Sequence, residues 1–170
     1  GPKGEHLTDR LTDKAVAFIE KHKAQPFFLY LAYQAPHWPL HAPEATIKKY
    51  QGTYMEGWDS LRIRRYQNMI AKGLWNTQGG LSAIYEDFHQ WDTLNLADQQ
   101  YWDQLMATYA ATIDEMDQQI GRLMAYLEAQ GQLDNTLILF LSDNGACYDD
   151  HTIIRGFNTE IPAGEIGRAS

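Results

Sequence analysis

Two short runs of apolar residues, 27–33 (FFLYLAY) and 136–141 (TLILFL), constrain the fold more than any other feature of this sequence. A run this short, with apolar residues at nearly every position, is typical of a strand buried on both faces of a sheet. Helix-forming sequence precedes the first run and separates it from the second. The order helix, strand, helices, strand therefore predicts an α/β fold, with a parallel or mixed sheet covered by helices.

The strongest helix signal opens at Asp98 and ends near Gly131, a residue suited to a helix C-terminus. Apolar side chains recur along it at steps of three and four and form one stripe. The remaining chain is predicted to hold helices over residues 9–23, 44–50 and 60–72, an irregular stretch over 73–95, and loop over 146–170.

The charge balance excludes several classes of function. The formal net charge is −8, and no basic patch is available to bind a nucleic-acid backbone. An anionic substrate would need a local positive centre such as a metal ion. No apolar run approaches the ~20 residues that span a bilayer. The single cysteine forms no internal disulfide, which leaves the compartment open between periplasm and cytoplasm.

Polar, turn-rich loops follow both predicted strands, over residues 34–43 and 142–151. Ligands of open α/β sheets bind at the carboxyl ends of the strands. The first loop contains three prolines, which exclude regular structure there. These two loops are therefore the predicted location of a site.

Asp143, Asn144 and Gly145 open the second loop. A carboxylate and an amide carbonyl are oxygen donors that suit a hard cation such as Ca²⁺ or Mg²⁺, and a glycine lets the chain turn sharply. The same tripeptide is also an ordinary turn sequence. Two ligands do not fill a site of about six oxygens, so further ligands must come from elsewhere in the fold.

His37 lies in the first loop between Pro36 and Trp38, with Pro39 next. A histidine held in this way can donate a proton to a leaving group or a hydrogen bond to an anionic ligand. The alternative is a structural histidine in a rigid turn. His41 is a weaker second candidate.

Cys147 and His151 suggest a nucleophilic pair, and Asp149, Asp150 and His151 suggest additional metal ligands. Neither set has a specific spacing. Solvated loop residues are the default interpretation of this stretch.

Three blocks of the sequence together resemble the type I, formylglycine-dependent sulfatases, and most closely their bacterial arylsulfatase branch. They are residues 27–43 (FFLYLAYQAPHWPLHAP), 109–123 (YAATIDEMDQQIGRL) and 133–146 (LDNTLILFLSDNGA). The blocks occur in the family's order, and residues 166–168 (IGR) add to the likeness. The resemblance implies an alkaline phosphatase-like fold and hydrolysis of a sulfate monoester, carried by a small molecule or a carbohydrate.

The same resemblance implies roles for individual residues. His37 matches the active-site histidine that contacts the sulfate and assists the leaving group. Asp143 and Asn144 match two ligands of a bound Ca²⁺, with Mg²⁺ the less expected ion. No cofactor-binding residue beyond these metal ligands is predicted.

The departures from the family pattern are equally informative. The sequence contains no C/S-x-P/A-x-R motif, whose first residue becomes the formylglycine nucleophile. The family's paired N-terminal aspartates, its Gly-Lys-Trp-His segment and its later lysine are also missing. We therefore expect residues 1–170 to be part of a single sulfatase catalytic domain, without its N-terminal nucleophile segment and its C-terminal portion. On this expectation the chain by itself is inactive.

Two alternatives stay open at this point. The same superfamily contains metal-dependent phosphodiester and phosphonate ester hydrolases, and nothing in these residues selects sulfur over phosphorus. A non-catalytic binding module that retained the fold is the other alternative, and it would show no Ca²⁺-dependent gain in melting temperature.

Overall fold

A computed structural model describes residues 6–76, 79–84 and 90–145. Its architecture within these ranges is helical. In chain order the described elements are helices α1 (Leu7–His22), α2 (Glu44–Lys48), α3 (Gly57–Ala71) and α4 (Leu96–Ala129), with single 3₁₀ turns at Trp91–Thr93, just before α4, and Leu133–Asn135, just after it. No described helix is long and apolar enough to cross a membrane.

Helix α4 is the frame on which the other elements lie, and its own sequence fixes both of its ends. Asn95 caps the first turn, because its side chain accepts a hydrogen bond from the backbone N–H of Asp98 at 3.0 Å. At the other end Gly131 adopts a φ of +65°. The N–H groups of Gly131 and Gln132 then bond to the carbonyls of Glu128 at 2.8 Å and Leu127 at 2.9 Å, the pairing of a Schellman motif.

Helix α1 packs along the C-terminal half of α4. Ile19 of α1 and Leu127 of α4 are both buried. At the rim of this contact Arg122 donates a hydrogen bond to Asp13 at 2.5 Å, and Tyr126 donates one to Glu20. The apolar contact excludes water and supplies most of the stabilisation, because exposed ion pairs contribute little.

Helix α2 lies against the middle of α4. Ala42 and Ile47 form one buried cluster with Ala107 and Ala111 of α4, and Tyr50 packs against it. Because the two alanines of α4 are small, the backbone of the α2 segment can approach closely. This contact places the loop before α2 next to α4.

Three tryptophans join α3 to α4. The ring of Trp58 lies edge-on to those of Trp91 and Trp102, with centroid separations of 4.9 and 6.0 Å. Gly57, the first residue of α3, has a φ of +82° and lies directly under the Trp91 ring. A Cβ at this position would be 2.3 Å from Cγ of Trp91, so only glycine fits.

We expect the Gly57→Ala substitution to lower the free energy of unfolding by about 3 kcal/mol, since overpacking and a left-handed backbone each cost about 1–3 kcal/mol. Urea unfolding monitored by tryptophan fluorescence measures it. Gly121→Ala is the matched control, because that glycine lies within α4 with nothing near its Cβ position. It should be neutral or stabilising by up to about 1 kcal/mol. Equal effects at both positions would contradict the packing argument.

The two runs predicted as buried strands require a correction. Residues 27–33 and 136–141 form neither a helix nor a paired strand within the described residues. Phe28 and Tyr30 are 87% and 81% exposed, and Leu137 is 84% exposed. The predicted burial on both faces is therefore wrong for this chain as described. A strand forms only when a neighbour accepts and donates its ladder hydrogen bonds, and the described residues supply no such neighbour. The sheet remains a prediction.

The helix predictions agree with the structure better than the strand predictions do. All four predicted helices are present, and α3 and α4 begin three and two residues earlier than expected, at Gly57 and Leu96. The stretch 73–95 contains the 3₁₀ turn Trp91–Thr93, and no α-helix or strand is assigned to it where it is described. The loop prediction for residues 146–170 lies outside the described residues.

Candidate active site

His37 lies on the exposed turn of residues 34–43, which we call the histidine loop. Its backbone N–H donates a hydrogen bond to the carbonyl of Gln34 at 2.9 Å. Its ring Nδ1 is 2.7 Å from the carbonyl oxygen of Trp38. A carbonyl oxygen only accepts, so Nδ1 carries a proton in this arrangement. Nε2 is then the ring atom available to a ligand.

The histidine loop is exposed at its tip and anchored at its stems. At the start of the loop, the hydroxyl of Tyr33 lies 2.7 Å from Oγ1 of Thr12, a fully buried residue of α1. At the end of the loop, Nε2 of His6 donates to the carbonyl of His41 at 2.8 Å, and Leu40 is buried. The ring of His41 is not the anchoring group, since only its backbone carbonyl takes part in this bond.

A buried hydrogen bond joins α4 to α2, the helix that follows the histidine loop. The hydroxyl of Thr46 donates to Oε1 of Glu115, and both residues are buried. The backbone N–H of Thr46 also donates to the carbonyl of Pro43, the last residue of the loop, at 2.9 Å. Thr46 therefore connects the loop to α4 through two bonds.

The sequence reasoning did not identify this anchoring group, although a signal was present. Thr108, Thr112 and Glu115 recur at steps of four and three on the buried face of α4. Polar residues on an apolar stripe are informative, because a buried polar group requires a partner. Thr112 bonds within the helix, to the carbonyl of Thr108 at 2.8 Å, whereas Glu115 bonds across to α2.

Asp103, a second acidic residue of α4, organises the turn between α2 and α3. Its two carboxylate oxygens accept hydrogen bonds from the backbone N–H groups of Gly52 at 2.7 Å and Tyr54 at 2.9 Å. The carboxylate satisfies two donors that no helix or strand would satisfy. It also orients the chain as it enters α3.

Asp143 and Asn144 lie in an exposed segment that follows the second apolar run, residues 136–141. The hydroxyl of Ser142 donates to the carbonyl of Asn144 at 2.6 Å, and Nδ2 of Asn144 donates to the carbonyl of Gly145 at 2.7 Å. Within the described ranges, the Asp143 carboxylate and the Asn144 Oδ1 accept no hydrogen bond.

These oxygen donors are of the type that a hard cation prefers, but they are too few to fill its coordination sphere. Carboxylate and amide oxygens are the preferred donors for Ca²⁺ and Mg²⁺. Across residues 6–76, 79–84 and 90–145, no group of three or more His, Cys, Asp or Glu side chains is placed to hold a metal ion. In the same ranges no hydrogen bond joins His37 to Asp143 or Asn144. The alternative candidates Cys147, Asp149, Asp150 and His151, and residues 166–168, lie outside the described residues.

Asp114, beside Glu115, forms the solvent-facing part of the α2–α4 contact. Its carboxylate accepts hydrogen bonds from Gln118 at 2.7 Å and from Lys49 and Tyr50 at 3.0 Å each. The bond from Gln118 and then that from Lys49 hold the pKa of Asp114 below its ordinary value of 3.8. Burial and the hydrogen bond to Asp114 raise the pKa of the Tyr50 hydroxyl.

The sign of the resulting pH dependence follows from that shift. A carboxyl group with a pKa that is lower in the folded than in the unfolded chain stabilises the fold above its unfolded pKa, and this contribution is lost as the pH falls through the lowered folded value. We expect Asp114→Asn to lower the free energy of unfolding by about 1 kcal/mol at pH 7. The difference from the wild-type chain should shrink as the pH falls below about 4. Urea unfolding between pH 7 and pH 2 measures it, with the exposed Asp117→Asn as control. A difference that stays constant with pH would contradict the assignment.

Comparison with known proteins identifies the family. A family model described as Sulfatase matches residues 1–164. The chain belongs to the sulfatase family. This sulfatase-family chain is 39% identical over 144 residues to an uncharacterized sulfatase of Schizosaccharomyces pombe, an alignment that covers 84% of the chain and 24% of the relative. It is 40% identical over 124 residues to an arylsulfatase of Klebsiella aerogenes, with 73% of the chain and 26% of the relative covered.

A third relative broadens the comparison. The sulfatase-family chain is 31% identical over 186 residues to a multifunctional alkaline phosphatase superfamily protein of Trinickia caryophylli, covering 94% of the chain and 35% of the relative. The chain thus spans about a quarter to a third of the length of these curated relatives. The predicted membership of the sulfatase family is confirmed.

Proposed function

We propose that this chain is part of the catalytic domain of a sulfuric ester hydrolase of the arylsulfatase type. The observation that carries the proposal is the sulfatase match over residues 1–164, together with 40% identity to a named arylsulfatase. The geometry of the histidine loop supports it, because an exposed imidazole on anchored stems is suited to meet a ligand. The substrate class is a sulfate monoester of a small molecule or a carbohydrate.

In this proposal His37 acts at the leaving-group oxygen. Its Nδ1–H is committed to the carbonyl of Trp38, which holds the ring plane and leaves Nε2 facing the substrate. A protonated ring donates from Nε2 to the oxygen of the departing alcohol or phenol. This stabilises the negative charge that develops there as the S–O bond breaks.

Asp143 and Asn144 would hold part of the coordination sphere of a divalent cation, with Ca²⁺ proposed ahead of Mg²⁺. Family membership implies a metal ion and a formylglycine, and when bound the metal supplies Lewis-acid stabilisation of charge on the sulfate oxygens. The chain's own contribution is to supply two oxygens, one of them charged. We expect the formylglycine to lie in sequence that residues 1–170 do not contain, since they hold no C/S-x-P/A-x-R motif.

The proposal also assigns a place in the fold to the two apolar runs, residues 27–33 and 136–141. We expect residues 27–33 and 136–141 to become neighbouring strands in an alkaline phosphatase-like sheet once further strands pair with them. The histidine loop and the Asp143 segment would then meet at the carboxyl edge of that sheet. The 170-residue chain without those strands should not turn over substrate.

The deciding experiment compares the complete reading frame that contains this sequence with the 170-residue chain. Both are purified and assayed on an aryl sulfate with Ca²⁺ present. We expect hydrolysis by the complete protein and none by the 170-residue chain above its His37→Ala control. A complete protein that binds Ca²⁺ but hydrolyses no sulfate ester would overturn the proposed activity.

One observation favours a second candidate, a metal-dependent phosphodiester or phosphonate ester hydrolase. The Trinickia relative carries the name of the alkaline phosphatase superfamily rather than of a sulfatase. Parallel assays of the complete protein on matched sulfate and phosphate esters separate the two activities. A binding module without catalysis predicts neither activity and no Ca²⁺-dependent rise in melting temperature.

A further inference from the structure

A buried carboxylate lies behind the histidine loop and is not used by the proposed chemistry. Glu115 is 9% exposed, and its Oε1 accepts a hydrogen bond from the hydroxyl of Thr46, which is 6% exposed. Burial of a carboxylate is unfavourable unless hydrogen bonds compensate for the lost water. An apolar residue at this position would serve equally well if only the packing of α2 on α4 mattered.

A hydrogen bond differs from apolar packing because it is directional. The buried cluster of Ala42, Ile47, Ala107 and Ala111 tolerates small shifts of α2 along α4, since apolar contact has no preferred angle. A hydrogen bond weakens steeply when its distance or its donor angle leaves a narrow range. The bond from Thr46 to Glu115 therefore fixes the position of α2 along α4.

The position of α2 is transmitted to the histidine loop by the backbone. Pro43 ends the loop, and its carbonyl accepts hydrogen bonds from the N–H groups of Thr46 at 2.9 Å and Ile47 at 3.0 Å. His37 lies six residues before Pro43, with the buried Leu40 and Ala42 between them. A shift of α2 would move this stem and the imidazole with it.

We infer that Glu115, acting through Thr46, is the positioning residue of the histidine loop. This inference rests on the proposed function, since it assigns to Glu115 the placement of His37 for proton donation. Asp114 makes the neighbouring contact with Lys49 and Tyr50 at the end of α2, at the solvent-facing rim, where Lys49 is half exposed. Such a rim contact is weak and does not fix geometry by itself.

The test uses the complete protein and the Thr46→Val substitution, which removes the hydroxyl and keeps the side-chain volume. We expect kcat on a sulfate ester to fall about 10- to 100-fold, because small misplacements of a catalytic group have effects of this size. KM should change less than about twofold, because the lost interaction is one that favours the transition state. Thr46→Ser retains the hydroxyl and should restore kcat. Glu115→Gln retains an acceptor oxygen and should give an intermediate loss.

Two controls separate positioning from general destabilisation. Thr112→Val removes an equally buried hydroxyl of α4 that bonds within its own helix, and it should leave kcat within about twofold of the wild-type value. In a His37→Ala background, Thr46→Val should cause no further loss, because the two changes act on the same step. Additive losses in the double variant, or an equal loss from Thr112→Val, would overturn the inference.

A second measurement tests the inference even if the complete protein hydrolyses no ester. Absence of hydrolysis would contradict the proposed function but not the positioning of the histidine loop by Glu115. The ring signals of His37 are recorded by ¹⁵N NMR in the same protein. We expect them to shift and broaden in Thr46→Val and to match the wild type in Thr46→Ser and Thr112→Val. Unchanged His37 signals in Thr46→Val would show that the contact does not position the loop.

Discussion

Replacement of His37 by alanine in the complete protein should lower kcat on a sulfate ester by about 10²- to 10⁴-fold, the usual contribution of a general acid. The loss should grow with the pKa of the leaving alcohol or phenol, because a poor leaving group depends more on proton donation. A series of aryl sulfates with graded leaving-group pKa values, assayed under saturating conditions, measures both effects.

The matched control for this substitution is His41→Ala. His41 is exposed on the same loop, and only its backbone carbonyl is anchored, by the ring of His6. Removal of the His41 side chain should change kcat by less than about threefold, since substitutions of exposed side chains that make no specific contact have small effects. If His41→Ala were the more damaging change, or if the His37→Ala loss did not vary with the leaving group, the assignment of the general acid would be wrong.

Asp143→Ala should weaken Ca²⁺ binding by the complete protein at least about 100-fold. Loss of a residue that only hydrogen-bonds to a metal ligand already lowers metal affinity about 10- to 100-fold, and loss of a charged ligand should cost more. Calorimetric titration measures the affinity directly. The melting temperature gives a second readout, since a ligand at 100 times its Kd stabilises the folded state by about 2.7 kcal/mol.

Asp134→Ala is the control for the metal prediction. Asp134 is an exposed aspartate in the 3₁₀ turn just after α4, and its removal changes the net charge by the same amount. Ca²⁺ affinity should stay near the wild-type value. An equal loss from both substitutions would indicate a general electrostatic effect instead of coordination by Asp143.

The helices of this chain were predictable because their signals are local. The apolar stripe from Asp98 and the glycine at Gly131 predicted both ends of α4 to within two residues. The earlier start of α3 was not predictable from spacing, because it depends on Gly57 lying under Trp91, a residue 34 positions later in the sequence. The periodic spacing of apolar residues gives no information about contacts between residues so far apart in the sequence.

The predicted pairing of the strands is not confirmed by the described residues. Residues 27–33 have the composition of a buried strand, but burial requires partner strands, which no local pattern can supply. The candidate site divides in the same way. His37, Asp143 and Asn144 are predicted from their motifs and remain predictions, whereas the bond from His37 Nδ1 to the Trp38 carbonyl depends on the turn geometry. The bond from Thr46 to Glu115 joins residues 69 positions apart and could not be read from either segment.

The contact between α1 and α4 has a consequence for biosynthesis. Asp13 and Arg122 are 109 residues apart in the chain, and synthesis proceeds at about 5–20 residues per second. Helix α1 must therefore wait about 5–20 s for the helix that covers it. During that interval the nascent chain presents unpaired, aggregation-prone sequence. Its yield in a cell should depend on chaperone supply and on translation rate more than the stability of the finished helices would suggest.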